Sequence, residues 1–126
     1  MQLRASPGIL AGPDAATSPA ATPWTLPAVF IHVYNRSARQ QVLQLEPRLR
    51  QRGMRLAGIK IIGTGPTQSD LRYFRASEKS EAVTVQAALL SAGLPVRQLK
   101  RITGYETRAI PRQYEVWLSP DFQMQH

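Results

Sequence analysis

The 126-residue sequence has no cysteine, only two histidines and only eight acidic residues, and each shortage excludes a class of function. Without cysteine there is no disulfide, no thiolate metal site and no cysteine nucleophile. His126 is terminal, so His32 is the one histidine within the predicted fold, and no nucleophile accompanies it in a recognised arrangement. Glu106 and Glu115, the nearest candidates for a carboxylate pair, have no catalytic spacing. We therefore predict that the protein is not an enzyme and uses no metal and no cofactor.

Long hydrophobic runs are also missing. No stretch of about 18 apolar residues occurs, and Pro7 and Gly8 interrupt the apolar residues near the amino terminus, which are too few for the core of a signal peptide. We expect no export or membrane segment in this sequence. The compartment stays open: cytoplasmic by default, or periplasmic if the chain is a piece of an envelope protein. Residues 1–27 are rich in proline and alanine without periodicity, which predicts a linker or disordered tail.

A repeat is present in the remainder of the chain. With a shift of forty positions, residues 31–62 align without gaps on residues 71–102, with five identities in 32 positions. Each copy has a short apolar run, a serine, apolar residues at helical spacing, a glycine and a second apolar run, which predicts a strand, a helix and a strand. We expect one domain over residues 28–120, with repeat halves 31–62 and 71–102 and an extra strand over residues 113–118, outside the repeat.

Two such units in succession give the ferredoxin-like order β-α-β-β-α-β. We therefore predict an α+β fold in which an antiparallel sheet carries two helices on one face and gains an extra C-terminal strand. Ser37 and Ser77 are expected to start the two helices. Pro47 should break the first helix near Leu45 or Glu46, because an interior proline removes a backbone hydrogen bond.

Alternation along the strands predicts which side chains share a face. Ile31, Val33, Leu71 and Tyr73 should face the helices. The opposite face, on what would be the two central strands, should then form a candidate ligand-binding surface with these members: Phe30, His32, Tyr34, Arg72 and Phe74. The alternative is that the final strand, a loop or the tail covers this face, because an uncovered apolar patch would be conspicuous on a small domain.

The net charge of +8 is concentrated in the repeat, with +6 between residues 35 and 60 and +4 between residues 71 and 102. A basic surface of this kind favours a polyanion, an anionic surface or an acidic protein as partner. It is equally consistent with arginines that only keep the protein soluble. Arg48, Arg52 and Arg55 form the candidate basic patch and would share a helical face if the helix continued past Pro47.

The repeat, with its openings IHVYNRSARQQVLQLEPRLRQRG and RYFRASEKSEAV and the closing YEVWL, resembles two kinds of bacterial cell-envelope domain. These are the SPOR-type repeat domain and the C-terminal domain of the LytR-CpsA-Psr family. The resemblance covers about residues 28–118 and implies a non-catalytic module that binds the glycan strands of peptidoglycan on its sheet face. It would carry a ligand-binding role only to the five candidate residues of that face.

Two other partners remain as alternatives. The same order of elements builds the RNA-recognition module, in which aromatic residues on central strands stack bases. Phe30 and Phe74 lie in suitable strands, but the segment DLRYFR lacks the glycine of that module's third-strand motif. The third hypothesis is a protein-interaction or assembly module that pairs through an exposed edge, formed by the final strand, and so forms an oligomer or binds a partner peptide.

Overall fold

The computed structural model describes residues 26–124, which form one sheet and three α-helices. The predicted linker, residues 1–27, lies almost wholly outside the described residues. The elements, in chain order, are β1 (Ala28–Val33), α1 (Arg36–Leu43), α2 (Glu46–Gln51), β2 (Arg55–Ile61), β3 (Asp70–Tyr73), a 3-10 turn (Ala76–Glu78), α3 (Lys79–Ser91), β4 (Gln98–Arg101) and β5 (Gln113–Trp117). The predicted α+β class is confirmed, and the chain order is compatible with a ferredoxin-like arrangement.

The sheet is mixed, with the strand order β2-β1-β5-β3-β4. β1 runs parallel to both β2 and β5, and β3 runs parallel to β4 and antiparallel to β5. Each repeat half is therefore a βαβ unit whose two strands are neighbours in the sheet. They run parallel because a helical crossover returns the chain in the same direction. The predicted antiparallel sheet is wrong on this point.

The final strand, β5, lies in the middle of the sheet. It pairs with β1 on one side and with β3 on the other, so the two repeat halves meet through it and not directly. The prediction that β1 and β3 are the two central strands is therefore wrong, and the alternative hypothesis that the final strand pairs through an exposed edge is wrong as well. Among residues 26–124, β2 and β4 are the edge strands of the sheet.

One hydrophobic core fills the space between the helices and one face of the sheet. The four strand residues predicted to face the helices, Ile31, Val33, Leu71 and Tyr73, are all buried in it. Alternate residues of β5 and the inward stripes of the helices complete it: Tyr114, Val116, Val42, Leu49, Val85 and Leu89. Burial of this apolar surface is the main force that holds the two units together.

The helix bounds follow from local chemistry. Pro47 lies in the first turn of α2, where its missing N–H costs nothing, so the helical region breaks before it as predicted. Asn35, not Ser37, caps α1: its Oδ1 accepts a hydrogen bond from the N–H of Ala38 at 2.8 Å. Ser77 lies in the 3-10 turn and does not cap α3.

Candidate ligand-binding face of the sheet

The face of the sheet opposite the helices carries three rows of side chains. The two rows nearer the carboxyl end of β1 form what we call the open face, and the third row, Arg55, Ala28 and Gln113, lies beside them. Residues paired across neighbouring strands point to the same side of a sheet, so the pairing register identifies each row. The first row, from β2 to β4, is Gly58, Phe30, Glu115, Arg72 and Lys100; the second is Lys60, His32, Trp117, Asp70 and Gln98. Most of these side chains are half-buried or exposed, with Asp70 the fully buried exception.

Trp117 stands at the centre of the open face with both sides of its indole ring occupied. The ring of His32 stacks on it with centroids 4.0 Å apart and planes 11° apart. The Arg72 guanidinium carbon lies 4.4 Å from the indole centroid. Because β5 lies between β1 and β3, these two neighbours approach from opposite sides. The indole is therefore a fixed support and offers no free face to a ligand.

A buried carboxylate holds the arginine of this stack in place. Asp70 is completely buried, and its Oδ1 accepts from Nε of Arg72 at 2.7 Å while its Oδ2 accepts from Nη2 at 3.3 Å. Nζ of Lys100 lies 3.4 Å from the same Oδ2. Two cations thus compensate the buried charge, which would otherwise be costly. The charge of Arg72 is engaged within the fold and is only partly available to an external anion.

Phe30 forms the floor of a shallow depression beside this stack. A bulge at Ala57 shifts the register of β2, so that Gly58 comes to lie beside Phe30. A Cβ atom at position 58 would lie 3.4 Å from Cδ1 and 3.7 Å from Cε1 of Phe30, so the aromatic ring extends over the glycine. The depression has a volume of about 170 Å³, and Lys60 is among its lining residues, with Phe30, His32, Gly58 and Glu115.

His32 enters the depression as a neutral acceptor. Its Nδ1 lies 3.3 Å from the carbonyl oxygen of Val116, and since a carbonyl can only accept, Nδ1 carries the proton. Burial lowers the pKa of His32 below its ordinary value of 6.5, and this outweighs the bond to Val116, which raises it. At neutral pH, Nε2 therefore has a lone pair that can accept a hydrogen bond.

Glu115 supplies further acceptors. Its Oε2 accepts from Nε2 of Gln113 at 3.0 Å, and its Oε1 accepts from Nε1 of Trp117 at 3.1 Å. A carboxylate offers about four lone-pair sites, so two of them remain for other donors. The depression thus combines an aromatic ring, hydrogen-bond acceptors and an ammonium group.

Three of the five predicted face residues lie together on the open face: Phe30, His32 and Arg72. Tyr34 follows the end of β1 and is 39% exposed. Phe74 is only 5% exposed, packed edge-on against Tyr105 with centroids 6.3 Å apart. The expected exposure of Phe74 is therefore wrong, because the loop between β4 and β5 covers it.

The covering loop is held by Arg75. Its guanidinium donates to the carbonyl oxygens of Glu106, Ala109 and Ile110, so one side chain satisfies three backbone acceptors of the loop. The two sequence alternatives, an open face and a covered face, each describe part of the sheet. The end near Phe74 is covered, and the region around Phe30 and Trp117 has no covering layer among the described residues.

The candidate basic patch does not form a single helical face. Gly53, with φ of +79°, ends the helical region, so Arg55 lies on β2. Arg48 donates to the carbonyl oxygen of Ala92 at 3.2 Å, and Arg52 lies 3.4 Å from Oγ of Ser91. Both arginines thus contact the C-terminal end of α3, where a positive charge is stabilising.

Sequence reasoning missed Trp117, Glu115, Asp70 and Lys60 as members of the face. Glu115 and Trp117 occupy the outward positions of the alternating segment YEVWL, which was a usable signal for their orientation. Nothing in the repeat indicated which strands flank β5.

Comparison of the chain with protein-family models, with curated proteins and with solved structures found no match. Among residues 26–124, no helix is long and apolar enough to cross a membrane. The same residues contain no group of three or more histidines and carboxylates that could hold a metal ion.

Proposed function

We propose that this protein is a non-catalytic binding module that holds a glycan on the open face, with the peptidoglycan of a bacterial cell envelope as its target. The observation that carries the proposal is the partly buried ring of Phe30, which extends over Gly58 and lines the depression with Glu115 and His32. A sugar ring has apolar C–H faces and a rim of hydroxyl donors. An aromatic floor with acceptors at its edge matches both features.

The chemistry of the depression supports a glycan over a nucleic acid. Glu115 would repel a phosphate, and the charge of Arg72 is already engaged by Asp70. A hydroxyl group, in contrast, can donate to the remaining lone pairs of Glu115 and to Nε2 of His32. Nucleic acid stays the alternative on the strength of the net charge, and its binding should weaken steeply as salt rises.

We also propose kinship with the SPOR-type domain and with the C-terminal domain of the LytR-CpsA-Psr family, on the basis of the ferredoxin-like order of elements. Two successive βαβ units on one sheet support it. The mixed pairing differs from the antiparallel sheet of the ferredoxin-like fold. The ligand-binding role is accordingly proposed for residues chosen from this structure: Phe30, His32, Lys60 and Glu115.

The non-catalytic part of the proposal rests on the surroundings of His32. Among the described residues, its hydrogen-bond partner is a backbone carbonyl, and its ring is stacked on Trp117. Neither contact provides a hydroxyl nucleophile or a carboxylate that would orient the ring for proton transfer.

The test is retention of the purified protein on insoluble peptidoglycan sacculi at low and at high salt. We expect salt-resistant retention that Phe30→Ala reduces about tenfold or more, because the aromatic floor is lost. Leu90→Ala is the control, since Leu90 is an exposed apolar residue on α3, outside the depression and on the helix side of the sheet.

Equal retention of the Phe30→Ala variant and the native protein would contradict the proposal. Salt-sensitive retention on beads that carry DNA or RNA, without retention on sacculi, would favour the alternative. Retention on neither would point to a protein partner, for which the pairing surfaces in the described part of the chain are the edges of β2 and β4.

A further inference from the structure

Lys60 places an ammonium group at the edge of the depression. It is exposed on β2, it lines the depression, and it forms no ion pair among the described residues. In the pairing register it lies opposite His32, one strand away from the aromatic floor. An ammonium group beside a binding depression and without a counter-charge is available to an anionic group of the ligand.

The carboxylate of the depression lies on the other side of Phe30. β2 and β5 flank β1, and neighbouring strands are about 4.8 Å apart, so Lys60 and Glu115 arise from strands roughly 10 Å apart. The depression is therefore electrically polar, positive toward β2 and negative toward β5. A ligand ring on Phe30 would meet a cation at one edge and acceptors at the other.

We propose that the open face selects an acidic sugar, with the ring on Phe30, the carboxylate of the sugar at Lys60 and its hydroxyls toward Glu115 and His32. This inference rests on the proposed function and adds the chemical class and the orientation of the ligand. A sugar bound the opposite way round would bring two carboxylates together at Glu115, so the charges set one orientation.

A polar arrangement of this kind distinguishes an acidic sugar from a polyphosphate. The row that includes Glu115 also places Arg72 next to it, and Arg72 is bonded to the buried Asp70. Among the described residues that line the depression, Lys60 is the one cation, which suits a ligand with one charge per ring. A continuous phosphate backbone that crossed the depression would also lie against the Glu115 carboxylate on the β5 side, which would repel it.

The experiment measures binding by titration calorimetry with two probes: short oligomers of galacturonic acid and the same oligomers after chemical reduction of their carboxyl groups. The native protein should bind the acidic oligomer about fivefold more tightly, which is the strength of an exposed ion pair. Lys60→Gln should abolish this preference, and Lys60→Arg should retain it. Lys79→Gln is the control, because it removes the same net charge from an exposed site on α3.

Equal affinity of the native protein for the two oligomers would overturn the inference, as would a preference that survives Lys60→Gln. If both oligomers bind equally and Phe30→Ala abolishes both, the acidic preference is wrong and the glycan proposal stands. If neither oligomer binds but sacculi retain the protein, the inference is overturned and the glycan proposal stands. If neither oligomer binds and sacculi do not retain the protein, or if single-stranded RNA of equal length binds instead, the glycan proposal fails together with the inference.

Discussion

Asp70→Asn tests whether the buried carboxylate organises the open face. The native carboxylate accepts two hydrogen bonds from Arg72 and lies within ion-pair distance of Lys100. Asparagine has the same shape, but it turns one acceptor into an N–H₂ group that faces these donors, and it removes the charge that compensates both cations.

The expected loss of unfolding free energy follows from the exposure of the partners. Removal of one member of a fully buried pair typically costs about 3–5 kcal/mol. The Arg72 side chain is 23% exposed and that of Lys100 is 46% exposed, so water can solvate part of the orphaned charge. We therefore expect a loss of about 2–3 kcal/mol, between the buried limit and the small value of a surface pair.

Urea unfolding followed by circular dichroism measures this loss as a shift of the midpoint at constant m-value. Asp121→Asn is the matched control, because Asp121 is exposed and forms no ion pair among the described residues. A loss below about 1 kcal/mol for Asp70→Asn, or a loss equal to that of the control, would refute the reasoning that this carboxylate holds the central stack.

Two further predictions concern stability away from the depression. Hydrogen bonds from Arg112 hold the pKa of Glu81 below its ordinary value, so this carboxylate contributes stability above about pH 4.5 that is lost as pH falls through the lowered pKa. Glu81→Gln should therefore weaken the fall of stability at acid pH and cost about 1 kcal/mol of unfolding free energy at pH 7. Glu46→Gln, at an exposed ion pair, should change neither quantity. Phe74→Ala should cost about 3 kcal/mol in urea unfolding, because the ring is buried under Tyr105. Under conditions where it is fully folded, the Phe74→Ala variant should keep its glycan retention. Loss of retention under those conditions would place Phe74 in the site.

Features that depend on residues close together along the chain could be predicted from the sequence. Alternation in β1 correctly placed Ile31 and Val33 in the core. Pro47 correctly marked the break between α1 and α2, because its effect on a helix is local. The first helix start was misplaced by two residues, since Asn35 and Ser37 are both good caps and only the geometry of the turn decides between them.

Features that depend on pairing between distant parts of the chain could not be predicted from the sequence. Alternation assigns a side chain to a face, but it does not identify the neighbouring strand. The insertion of β5 between β1 and β3 brings Trp117 and Glu115 into the candidate site and separates the two strands that were predicted to be central. Burial of Phe74 likewise depends on a loop that Arg75 holds from a different element.

The most direct test of the central claim is to map a bound glycan by nuclear magnetic resonance. Titration of a ¹⁵N-labelled protein with a soluble peptidoglycan fragment should shift the amide signals of β1, β2 and β5 around Phe30, together with the indole signal of Trp117. The signals of α1 and α3, on the opposite side of the sheet, should stay in place. Shifts confined to the helices, or no shifts at fragment concentrations that saturate retention on sacculi, would contradict the account.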